Sequence, residues 1–204
     1  LAGTASEDSQ GRAMLALGWT VAEAPEPAMV ASASALFAQA LPATQDLGAL
    51  RAQSSVLLGC DAVMRGAPTT RAALAYRLLA NRLGSTFGAR TTSAWPWPES
   101  RLTYENALPA HALIVAGRFV DSSGMLEAGL AVLDWLIDSQ TDPAGHLSPV
   151  GNGWWPRGGT KSTFDQQPIE ATALLLAAQP HAATHPGPRA RQHCRSRSCA
   201  AQPV

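Results

Sequence analysis

Three carboxylates, Asp8, Glu99 and Asp165, each lie in a short polar stretch set among alanine- and leucine-rich runs. Cleaving a glycosidic bond takes two carboxyl groups on opposite sides of it, about 5–5.5 Å apart for retention of configuration and about 6.5–9.5 Å for inversion. The same stretches carry groups suited to holding sugar hydroxyls. Asn106, Gln166 and Gln167 both donate and accept, Arg12, Arg101 and Arg157 donate in a fork, and Tyr104 and Glu170 add a hydroxyl and a further acceptor. Aromatic faces for packing on sugar C–H surfaces come in two pairs, Trp95 and Trp97 in "WPWPES" and Trp154 and Trp155 in "GWWPRGG". Each group also has a plainer use. Glu7 and Asp8 favour a helix N-terminus in any protein, and Asp165 suits a helix cap. Trp19 and Trp135 read as core, His111 as a satisfied core histidine, and Cys60 as a small apolar residue. "PRGGTK" lacks the spacing and the preceding strand of a phosphate loop.

Hydrophobic residues make up 46% of the 204 residues and charged ones 15%, the balance of a folded domain. All fifteen acidic residues fall at or before Glu170, while four of the fifteen basic ones follow His181. The body is thus slightly acidic, with no electrostatic footprint for nucleic acid. The sparse cysteines (Cys60, then Cys194 and Cys199) form neither a disulfide framework nor a metal set, so no metal and no cofactor is expected. No signal peptide and no membrane-length apolar run is visible, and a cytoplasmic setting is the expectation.

The elements that must position these groups are helices. Seven are expected, with no strand. They start near Glu7, Pro27, Leu47, Thr69, Glu105, Ser122 and Pro168, and the fourth is closed by Gly84. Helices four and six are amphipathic. One, five and seven are apolar nearly all round after a polar start, which requires surrounding protein. Buried and half-buried helices then alternate as hairpins, an inner layer ringed by an outer one. Two long connections, 85–104 and 141–167, lead into inner helices and hold four of the six tryptophans. Inner helices of stacked hairpins run parallel, so their N-termini gather at one end into a polar mouth. Residues 1–180 are read as this domain, and 181–204 as a basic irregular tail, disordered or translated from another frame.

The segments "SEDSQGRAMLALG", "WPWPESRLTYENALPAHALIVAG", "LDWLIDSQTDPAGHLSPVGNGWWPRGG" and "FDQQPIEATA" together resemble a bacterial domain of the six-hairpin, (α/α)6-toroid glycosidase-like superfamily, of the kind that accompanies glycosyltransferase modules. The resemblance spans about residues 5–179. It implies an (α/α) toroid and a carbohydrate context. Its matching positions are Asp8, Arg12, Trp95, Glu99, Tyr104, Asn106, Arg157, Asp165, Gln166, Gln167 and Glu170. Six hairpins need twelve helices, so seven imply a partial ring. The expected partner is a saccharide, with a glycosyltransferase module as a second one. No strand–glycine–helix unit for a nucleotide sugar is present. The expected activity is acid/base glycosidic chemistry at Asp8, Glu99 and Asp165. A non-catalytic accessory domain and a helical scaffold are the alternatives.

Overall fold

A computed structural model describes residues 6–184. The fold is all-α, with helices α1 (Glu7–Glu23), α2 (Pro27–Ala40), α3 (Leu50–Gly66), α4 (Thr70–Arg90), α5 (Ala107–Phe119), α6 (Ser123–Ser139) and α7 (Pro168–Thr184), and a 3-10 turn over Leu41–Thr44. Two short strands, β1 (Arg101–Leu102) and β2 (Trp155–Pro156), pair antiparallel, where no strand was expected.

Helix α1 packs on α3, α3 on α5, and α5 on α7, while α2, α4 and α6 each pack back on the preceding helix of their hairpin. This is the expected two-layer arrangement. The closest contact is between α1 and α3. Gly11 and Gly18 on α1 are seven residues apart, as are Ala52, Gly59 and Gly66 on α3. A Cβ at Gly18 would lie 2.3 Å from the Gly59 carbonyl oxygen, and one at Gly66 would lie 2.5 Å from that of Val21. Gly11 faces Ala52 in the same way. The partners climb both helices together, so α1 and α3 run parallel in one fixed register. Gly117 plays a similar part between α5 and α6, against Leu126.

Burial corrects several expectations. Helix α3 is the most enclosed, buried almost throughout, and α5 is nearly so. Helix α1 buries one stripe only, Gly11, Met14, Gly18 and Val21, and Trp19 is 43% exposed where a core position was expected. Among the described residues the main inner-layer contact of α1 is with α3 and that of α7 is with α5, and Leu175 on α7 is exposed as Trp19 is. Gly84 does not end α4, which continues to Arg90. It sits instead where a Cβ would press on the Met125 side chain. Helix α7 runs to Thr184, beyond its expected end at Gln179, and the rest of the expected basic tail lies outside the described residues.

Caps follow local chemistry. Ser6, Thr69 and Ser122 accept from the backbone N–H three residues on, at the starts of α1, α4 and α6. Helix α3 has Ala49 at its N-cap and no side-chain cap of its own. The Glu7 carboxylate supplies one from α1, accepting from the N–H groups of Gly48 and Ala49 at 2.9 and 2.6 Å. Two glycine substitutions should therefore separate cleanly in thermal denaturation. Gly18→Ala should destabilise the fold by roughly 1–3 kcal/mol through overpacking. Gly88→Ala, at a helical position with nothing within 4 Å of the new methyl, should stabilise it by up to about 1 kcal/mol.

Candidate functional site at the helix N-termini

The N-terminal ends of α1, α3, α5 and α7 meet. Tyr104 donates its hydroxyl to Asp8, and Arg12 pairs with Glu105 at 3.0 Å. The hub is Arg51, in the first turn of α3, only 8% exposed. A cation near a helix N-terminus opposes the helix dipole, so other groups must hold it there. Its Nε donates to the Tyr104 carbonyl at 2.6 Å, Nη1 to Glu99 and Nη2 to the Asn106 side-chain oxygen, both at 3.0 Å. The guanidinium also lies 4.9 Å from the Tyr104 ring centroid and 5.8 Å from that of Trp97.

Asn106, fully buried, carries this network onward. Its Oδ1 accepts from Arg51 and from the Thr103 N–H, which fixes the amide orientation. Its Nδ2 must then face Glu170 and donates to it at 2.9 Å, while its backbone N–H donates to the same carboxylate at 3.2 Å. Glu170, 1% exposed, borders a cavity of about 50 Å³ together with Thr103, Tyr104, Val150, Gly151, Asn152, Trp154 and Gln167. Asp165 reaches this rim through its bond to the Asn152 amide at 3.1 Å, and Gln166 is tied to Ser148. Gly151 allows the loop to close, since a Cβ there would fall 2.0 Å from the Phe164 carbonyl oxygen. Lys161 ties the same loop down, donating to the carbonyls of Ser139 and Ser148.

The structure thus brings Asp8, Arg12, Glu99, Tyr104, Asn106, Asp165, Gln167 and Glu170 to one end of the array. The tryptophans divide. Trp95 and Trp97, expected to stack on sugars, are 5% and 0% exposed, and both are core. Their indole N–H groups find carbonyl partners at Glu99 and Arg101, so the rings bury without loss. Trp155 is half-buried in a cluster with Trp95 and Trp135. Only Trp154 of the four faces solvent, with the Arg101 guanidinium 5.0 Å from its ring centroid. Arg157, just past β2, donates its guanidinium to Thr92 and its backbone N–H to the Ser100 carbonyl and does not line the cavity. Arg51 was not foreseen, nor was Phe164, which stands 85% exposed beside Asp165.

Strain and desolvation concentrate here. Among the described residues four non-glycine ones have left-handed backbone, and three of them, Glu105, Trp154 and Asp165, are at the mouth. Burial raises the pKa of the Glu105 carboxyl, and Arg12 and Arg51 only partly offset it. Burial raises that of Glu170 too, against the hydrogen bonds from Asn106. Burial, with Asp8 as acceptor, does the same for the Tyr104 phenol. Of these two carboxyls Glu105 is paired with Arg12, and Glu170 is the one that borders the cavity, beside fixed amides. A roomier concavity of about 560 Å³ lies between the start of α3 and α4. Its polar lining includes Arg82 and Gln53, both already bonded to backbone carbonyls.

Among the described residues no cluster of three or more His, Cys, Asp or Glu could hold a metal ion, and no helix is long and apolar enough to cross a membrane. Comparison with protein-family models, with curated proteins and with solved structures finds no match for this chain.

Arg51→Met removes one donor each from Glu99 and Asn106 and the Tyr104 carbonyl's side-chain donor, and should destabilise the fold by about 3–5 kcal/mol in urea denaturation. His111, on α5, is a second probe. Burial chiefly, with help from Arg118 and Arg65, lowers its pKa from 6.5 to about 4. The unfolded chain takes up this proton below pH 6.5 and the folded chain resists it, so stability is full above 6.5 and falls as the pH drops to 4. The loss should be on the order of 3 kcal/mol. Glu105 and Glu170, with raised pKa values, pull the other way in acid. The difference between wild type and His111→Gln, measured across this window, isolates the histidine.

Proposed function

We propose that this chain is a carbohydrate-active domain, part of an (α/α) toroid, that binds a saccharide at the mouth formed by its parallel helix starts. The observation that carries this reading is the convergence of Tyr104, Asn152, Trp154, Gln167 and Glu170 on one cavity from separate parts of the chain. Polar groups that both donate and accept, beside an exposed aromatic face, match the alternating C–H and hydroxyl surface of a sugar. Trp154 and Phe164 are the aromatic surfaces a ring reaches, while Trp95 and Trp97 brace the loop from inside. In a catalytic reading Asp8, Asp165 and Glu170 are the working carboxyls, and Glu99 holds Arg51 in place.

The alternative is a binding domain that serves a separate glycosyltransferase. The pairing of Glu99 and Glu105 with arginines favours it, because those carboxyls are already engaged. Tryptophan emission measured against an oligosaccharide panel decides whether a saccharide binds. Quenching is expected in the wild type and should be lost in Trp154→Ala, and silence across the panel would overturn the reading. Product release from the same panel, reduced about 100-fold or more in Asp8→Asn, would mark an enzyme. Binding without release would mark the accessory domain.

A further inference from the structure

We infer that the cavity at Glu170 is a subsite for the exocyclic hydroxymethyl group of a terminal, uncharged hexose. The inference rests on the saccharide reading above and adds which part of which sugar enters.

Size sets the first limit. A space of about 50 Å³ is about a third of the roughly 150 Å³ of a cavity that holds one benzene ring. A pyranose ring does not fit, and a carbon–oxygen side arm does. The walls are firm: Gly151 is packed against the Phe164 carbonyl, Val150 is buried with its N–H bonded to Gln140, and Trp154 is pinned by Arg101. A sugar must therefore approach end-on, with its ring outside near Trp154 and one substituent inside.

Chemistry sets the second limit. The innermost charged group is Glu170, whose carboxylate takes two bonds from Asn106 and borders the cavity. It accepts from a hydroxyl and repels an anion. Asn152 and Gln167 line the space with amides able to donate to the same hydroxyl, while Val150 and the Trp154 ring offer apolar surface for a methylene. A primary alcohol on one methylene satisfies both kinds of wall. No arginine or lysine lines the cavity, and the nearest cations, Arg51 and Arg101, are held by Glu99, Asn106 and the Tyr104 carbonyl and against the Trp154 ring, so a carboxylate in place of the alcohol would meet Glu170 with no donor cation of its own. A pentose, with nothing at that position, would forgo the hydroxyl's bonds to the amides and the carboxylate.

The test compares methyl glycosides, and the matching disaccharides, in three series that share ring stereochemistry: hexosides, pentosides lacking the hydroxymethyl, and uronosides carrying a carboxylate there. Ligand-observed NMR titration of the wild-type chain should show hexosides binding about tenfold or more tighter than either of the others. Glu170→Gln should weaken hexosides and narrow the gap to uronosides. If that variant loses its helical circular dichroism, Asn152→Ala, on the exposed side of the cavity, serves instead, and its hexoside affinity should fall while pentosides are unaffected. Equal binding of the three series, or hexoside affinity untouched by either folded variant, would overturn the inference and leave the saccharide reading standing. Absence of binding by every glycoside would overturn both.

Discussion

The seven-residue spacing of small residues on α1 and α3 is the constraint on which the rest of this structure depends. Gly18 against Gly59, Gly11 against Ala52 and Gly66 against Val21 leave no room for a methyl group, so the two backbones touch and cannot slide. That register places Glu7 at the open start of α3, where it caps Gly48 and Ala49. One turn further on, it sets Arg12 beside Glu105 and Asp8 beside Tyr104, across the top of the Arg51 hub. A close apolar contact thus decides where the charges lie.

Once aligned, the mouth is held by groups that satisfy each other. Arg51 is buried because three acceptors from the segment 99–106 surround it, and that segment is ordered because Arg51 binds it. Asn106 passes the arrangement to Glu170 on α7. Removing any member leaves another buried and unpaired, which is far costlier than the net worth of one bond. The same enclosure that keeps this network in place raises the pKa values of Glu105 and Glu170. Rigidity and acid–base character here have one origin.

Much of this was legible in the chain. Polar clusters before apolar helices marked the ends that gather, and Asp8, Tyr104 and Asp165 fell within them, with Glu170 just beyond the third. Helix starts were found where a cap or proline announces them, as at Pro27, Ser122 and Pro168. Other features were hidden for physical reasons. Arg51 stands alone in an apolar run, and its partners come from nearly fifty residues away or more, so no local spacing reveals it. Trp95 and Trp97 sit between prolines in a segment that looks exposed, yet backbone carbonyls take their N–H groups and let them sink into the core. Gly84 resembles a stop, but its missing side chain answers a neighbour on α6. Apolar composition on α1 and α7 signalled enclosure, and among the described residues the main inner-layer contact of each is with one helix, α3 and α5 respectively.

The row itself has a mechanical consequence. Each inner helix leans chiefly on its immediate neighbours, as repeats do in a solenoid, so cohesion is summed link by link. Among the described residues α7 is joined mainly to α5 and lightly to α6, whereas α1 is locked to α3 by backbone contact. Glu170 rides on α7, so the floor of the cavity moves with that helix, and occupancy of the cavity and the seating of α7 on α5 become a single equilibrium.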